Sequence, residues 1–274
     1  MHELELINEY RWGIRNFVIS LTYPENDIRR EFFAMAYDNY LNFYHGLVTM
    51  VFANEVAAGN VGFHERIHYM KEHVSNLSDL GAEPILNESL FSSINKQIVL
   101  GMWTAFELSI TVLAESILTE SEKDELKSIK LSDILTILKA NEVTDSQKSK
   151  LSKILSDKNM SMLPAWRKFN ALLKSCSDYK RDKKQDIEYI KFYSTMRNCI
   201  SHSNSIFHGN DFDFAFKGYE FRFVNGKEYK HTFDPNLLSH LFIDLGNELI
   251  DIYSELIKEF DSFQFISYPD IVID

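Results

Sequence analysis

Arg197, Asn198 and His202 stand close together where an apolar-periodic stretch ends, and their types suit work on a phosphodiester. A guanidinium presents a fixed cationic fork that matches phosphate oxygens, and an imidazole exchanges its proton near neutral pH. Ile190, Tyr193, Met196 and Ile200 recur at helical spacing, so the three polar residues belong to the last turns of a half-buried helix. Residues five apart on a helix differ by about 140° and about 7.5 Å, which separates Arg197 from His202. Asn198 and His202, four apart, share a face. For Arg197 and His202 to act on one ligand, either the helix frays at Ser201-His202 or a second copy of the chain supplies one group. Ser201 and Ser203 are weaker hydrogen-bonding candidates that also serve as helix terminators, and Cys199 reads as core.

A second arrangement with chemical content is His64-Glu65-Arg66-Ile67-His68, formally the H-E-x-x-H pattern in which two histidines one turn apart bind zinc and the glutamate activates water. Glu88 follows His68 at a distance suited to a third ligand. Both patterns arise by chance equally rarely, so context decides. Arg66 stands where zinc peptidases carry an uncharged residue, and the upstream sequence is helical rather than strand-forming. Surface histidines on a polar helix face account for His64 and His68.

The later segment resembles the signature of the HEPN superfamily, in which an Arg, a polar residue (often Asn), a short spacer and a His close a helix of a small bundle. Arg197, Asn198, three intervening residues and His202 carry the match. The motif likeness covers roughly 186–204 and the architectural likeness about 90–262. It implies a metal-independent endoribonuclease with no cofactor, working as a homodimer on RNA, often as a toxin or antiviral defence effector with a regulatory or antitoxin protein as partner. His202 would then be general base or acid for attack by the 2′-hydroxyl, Arg197 the phosphate holder, and Asn198 an orienting group. Products would be a cyclic phosphate and a 5′-hydroxyl. HEPN-like bundles often carry an acidic residue on the helix facing the motif, which here would be Glu107 paired with Arg197. Other members keep the bundle without activity, so a non-catalytic module binding nucleotide, RNA or protein is the first alternative and a zinc hydrolase the second.

The elements that must position these groups are predominantly helical. The spacing predicts an all-α antiparallel bundle over 86–262 with one small β-hairpin near 219–233, preceded by an aromatic N-terminal helical region, 1–85, and followed by a tail, 263–274. Helices are expected from about Ile28 to Ala58, Phe63 to Leu80, Glu88 to Leu118, Leu131 to Ala140, Asp145 to Ser156, Pro164 to Ser175, Asp186 to Ile200 and Asn236 to Phe260. Asn26 or Asp27 caps the first of these. Its stripe of Phe32, Phe33, Tyr37, Tyr40, Phe43, Tyr44 and Phe52 reads as core or as a dimer surface. Thr119 to Lys130 reads as a polar connector. The hairpin is expected between Tyr219–Val224 and Lys227–Phe233, turned by Asn225-Gly226. Glu107, mid-helix among apolar neighbours, needs a cation, an edge or a site.

The net charge of −11 disfavours a general nucleic-acid binder, but its distribution is uneven. From Lys148 to Arg197 there are thirteen Lys or Arg against five Asp or Glu, densest at Lys180, Arg181, Lys183 and Lys184. That run is either a solvated surface or an RNA-binding patch feeding Arg197. Hydrophobic residues at 45% and charged residues at 25% are ordinary for a globular chain. Two cysteines, Cys176 and Cys199, argue against a disulfide framework and for a reducing cytoplasm. Met1 is followed by His2, Glu3 and Glu5 rather than by a signal peptide. Ile98 to Leu118 is apolar enough to raise the membrane question, but Glu107 and Glu115 interrupt it, and a buried core helix with no membrane association is expected.

Overall fold

In a computed structural model of the chain, residues 2–57, 83–127, 144, 160, 163–202, 206–228, 230–232, 238–261 and 265–267 are described. They form helices α1 (His2–Ser20), α2 (Ile28–Ala57), α3 (Glu83–Ile117), α4 (Glu120–Lys127), α5 (Ala165–Lys174), α6 (Lys183–His202) and α7 (Leu238–Lys258). Between α6 and α7 lies an antiparallel sheet in the order β1 (Phe212–Phe216), β2 (Tyr219–Phe223), β3 (Lys230–Thr232). The fold is thus all-α with a small β element. The helices expected at 63–80, 131–140 and 145–156 lie outside the described residues.

Helix α3 is central because its apolar residues leave little polar face. Ile98, Val99, Met102, Trp103, Phe106, Ile110 and Leu113 are buried, and α3 packs against α2, α5, α6 and α7. Its segment Ile94–Ile117 has the length and hydropathy to cross a membrane, and 67% of it is buried by the other helices, as in a core helix. The aromatic stripe of α2 joins this core. Phe32 packs on Phe106 and Tyr253, and the buried Tyr40 hydroxyl lies 3.0 Å from both the Ile243 carbonyl and Asn247 Oδ1. A Cβ at Gly101 would overlap the Asn39 side chain, so a larger residue there would require Asn39 to move. The boundary expected near residue 85 is therefore no break in the core, since α2 and α7 contribute to a single buried cluster.

Three local expectations are corrected. The connector after Thr119 is helical: Thr119 Oγ1 donates to Glu122 Oε2 at 2.7 Å, whose carboxylate also accepts the Thr119 amide at 2.8 Å, forming a capping box. The sheet has a third strand, β1, because Lys217 (φ 45°) and Gly218 (φ 84°) make the tight two-residue turn into β2. The Asn225-Gly226 loop is longer than a two-residue turn, since Arg222 pairs with Lys230. In the tail, the Ile28 amide donates to the Ile266 carbonyl at 2.9 Å.

Candidate functional site

Helix α6 carries the motif, and its neighbours fix its rotation. Asp182 Oδ1 accepts the amides of Lys184 (2.9 Å) and Gln185 (3.0 Å), capping the start three residues earlier than expected. One face lies on the sheet, with Phe192 stacked on Phe214 at 4.1 Å. A second face lies on α3, where Tyr193 stacks on Trp103 at 5.7 Å. The remaining face is polar: Lys191, Ser194, Thr195 and Asn198 recur at helical spacing, and Lys191 and Asn198 are exposed. By helical register, position 202 falls within about 20° of position 191 and one turn beyond 198, so it continues this stripe.

The helix does not fray at Ser201-His202, the first of the two ways in which Arg197 and His202 could reach one ligand. It runs through His202, and Ser201 Oγ donates to the Arg197 carbonyl at 2.7 Å. The length of the arginine side chain bridges the faces instead, with Arg197 Nη1 donating to Asn198 Oδ1 at 2.9 Å. Arg197, Asn198, Lys191, Ser194 and Thr195 then form one wall of a groove of about 550 Å³, whose other wall is Trp103, Glu107, Leu163, Pro164 and Trp166. Glu107 thus shares a groove with Arg197. The direct pairing expected of it is replaced by a hydrogen bond from Trp103 Nε1, one turn earlier on α3, at 2.9 Å. Lys191 Nζ stands 4.5 Å from the centroid of the Trp166 ring.

The basic run lies elsewhere. Lys183 and Arg197 are separated by fourteen residues of helix, about 21 Å. Arg181 is committed to a buried polar knot: it pairs with Asp186 at 2.9 Å and with Glu248 on α7, while Tyr179 donates to Asp186 at 2.5 Å. These carboxylates outweigh the effect of burial and raise the Arg181 pKa. Lys183 Nζ donates to the carbonyls of Leu173 (3.0 Å) and Cys176 (3.3 Å), closing the end of α5. Lys180 and Lys184 are exposed, with long contacts to Asp178 (3.7 Å) and Glu188 (4.0 Å). Arg181 and Lys183 therefore hold α6 against α5 and α7, and among the described residues the cations nearest the motif are Lys191 and Arg197 themselves. Lys191, Trp166 and Trp103 were not singled out from sequence. The polar stripe 191, 194, 195, 198, 202 is the signal that marks Lys191; the tryptophans come from other helices, and only the fold brings them there.

Beneath the groove, α5 is joined to α3 by Lys168, which is fully buried and donates to Thr111 Oγ1 at 2.5 Å; Thr111 in turn donates to the Glu107 carbonyl at 2.6 Å. Burial lowers the Lys168 pKa below its ordinary 10.5, against the pull of the Glu107 and Glu115 carboxylates. The native state then binds fewer protons than the unfolded state between the two values, so this amine costs stability at neutral pH and the cost fades as pH rises toward 10.5. Lys168→Met should raise unfolding stability by about 1–4 kcal/mol at pH 7. The gain should shrink at pH 10. A loss at both values would show instead that the amine is needed to hold α5.

Among the described residues, no three His, Cys, Asp or Glu side chains are grouped to hold a metal. His64, Glu65 and His68 lie outside the described residues, and Glu88 is placed only as a backbone position in α3. Comparison with protein-family models, curated proteins and solved structures finds no match to this chain.

Proposed function

We propose that this chain is a metal-independent endoribonuclease of the HEPN type. The observation that carries the reading is the groove on α6, where Arg197 is hydrogen-bonded to Asn198 one turn before His202, with Lys191 and Glu107 along the same walls. A cationic fork and a histidine position on one polar stripe suit a bent sugar-phosphate segment. In this reading His202 takes the proton of the 2′-hydroxyl, or returns one to the leaving 5′-oxygen. Arg197 offsets charge on the phosphate as the pentavalent species forms, and Asn198 keeps the guanidinium turned into the groove. Glu107, held by Trp103, completes the wall with one carboxylate against two cations. A homodimer would set a second motif opposite the first, and a toxin or defence role with a regulatory protein partner is part of the same proposal.

The test is incubation of purified protein with total RNA in EDTA, followed by mapping of the ends. Internal cuts leaving 2′,3′-cyclic phosphates and 5′-hydroxyls are expected. Intact RNA would overturn the nuclease, and binding without turnover would place the chain among non-catalytic modules. Light scattering of the same sample should give twice the 32.0 kDa chain mass; a monomer that still cuts would remove the dimer from the mechanism.

A further inference from the structure

We infer that the groove beside Arg197 is a subsite for an unpaired nucleotide, its base against the Trp166 indole and its phosphate at Lys191, so that the substrate class is single-stranded RNA. The ligand's identity as RNA rests on the nuclease reading; the subsite rests on side chains that reading does not use.

The chain has three tryptophans, and two of them, Trp103 and Trp166, line this one groove. They differ in what they are free to do. Trp103 is buried, its ring stacked on Tyr193 and its Nε1 bound to Glu107, so it is a wall. Trp166 is partly exposed, two residues after Pro164, in the first turn of α5, which packs against α3 and α6. A partly open indole on a rigid helix start is a platform on which any base can stack.

Lys191 stands over that indole now, at 4.5 Å from the ring centroid. An exposed cation–π contact is weak, and the lysine stem is flexible. An incoming phosphate therefore draws the ammonium off the ring and frees the face for the base. About two helical turns along, Arg197 and Asn198 take the next phosphate, so one strand lies lengthwise on the polar stripe. A duplex hides its base faces inside its own stack and offers nothing to Trp166, which selects unpaired RNA. The groove volume, about 550 Å³, is that of a site for a small organic ligand rather than for the width of a helix.

The experiment uses the full chain carrying His202→Ala, so that RNA binds without turnover, with a labelled unstructured 12-nucleotide RNA, its duplex, and the same strand made abasic. Single strand should bind at least about tenfold tighter than duplex or abasic strand and quench tryptophan fluorescence. Trp166→Leu should weaken single-strand binding about tenfold and remove the quench, with Trp166→Phe largely restoring affinity. Lys191→Ala should lower the salt dependence by about one phosphate contact. Unchanged affinity in Trp166→Leu, or equal binding of duplex, overturns the subsite even if the native protein cuts RNA. Binding that depends on Trp166 without any cleavage by the native protein keeps the subsite and removes the nuclease. No RNA binding overturns both. Should Trp166→Leu unfold, Trp166→Phe and Lys191→Ala, the latter at an exposed position, decide the same question.

Discussion

Replacing His202 by Ala is expected to lower RNA cleavage by about two to four orders of magnitude, the usual contribution of a positioned acid or base. The fold should be untouched. Position 202 is the last residue of α6, and alanine is the best helix former, so circular dichroism and the unfolding midpoint should match the native protein. Arg197→Ala should cost about 10²–10³ in rate, as losing one preorganised donor to a transition-state oxygen does. Arg197→Lys keeps the charge without the fork and should fall between. If the two groups act on one phosphate, the double variant should be little slower than His202→Ala alone, because residues that work as a unit are not additive. Cleavage by His202→Ala at the native rate would end the proposal, whatever Arg197→Ala does.

Much of the scaffold was legible in local pattern. The α2 aromatics, the apolar run of α3 and the Leu/Ile repeat of α7 each satisfy their period without help from distant residues, so their helices fall within a few residues of expectation. β1 was not, because Phe212, Phe214 and Phe216 alternate over only five residues and sit among Asp211, Asp213 and Gly209, which read as loop. The capping box at Thr119-x-x-Glu122 was present in the sequence but outweighed by the polarity of Thr119 to Lys130. At the site, Arg197 and Asn198 were legible from spacing, and Glu107 from its misfit in an apolar helix. What spacing could not supply was the use of each charge. Arg181 and Lys183 resemble a phosphate patch in one dimension, but Glu248 and the Leu173 carbonyl, the first far along the chain, turn them into fasteners. Trp166 could not be placed either, since only the packing of α5 against α3 and α6 carries it to the motif.

Arg29→Ala is expected to cost about 3–5 kcal/mol of stability, a large part of what a domain has. Arg29 and Asp27 are 1% and 0% exposed and form a bidentate pair, Nη2 to Oδ2 at 2.7 Å and Nε to Oδ1 at 3.0 Å. Asp27 also caps α2 through the Arg29 amide at 2.9 Å and accepts the Ile266 amide at 3.2 Å. Arg29 Nη1 donates to the Phe260 carbonyl at 2.6 Å, its guanidinium lies 4.3 Å from the Tyr23 ring, and Tyr23 donates to Asp261. One cation thus ties the start of α2 to the end of α7 and the segment beyond it. Removing it strands a buried carboxylate and takes one hydrogen bond from the Phe260 carbonyl. Burial alone would raise the Asp27 pKa, but the hydrogen bonds from Arg29 and Ile266 hold it below its ordinary 3.8. The pair's contribution is therefore full above about pH 4 and is lost as pH falls through the native value. Urea unfolding at pH 7 should show the loss in Arg29→Ala, and the gap between native and variant should narrow as pH falls below 3.8. Asp27→Asn keeps the helix cap and should lose less. The double change Asp27→Asn with Arg29→Met should lose less than the sum, since neither charge is left unpaired. A cost below about 1 kcal/mol for Arg29→Ala would mean that the aromatic contacts of Phe32 and Tyr253 hold this end of the bundle without the ion pair.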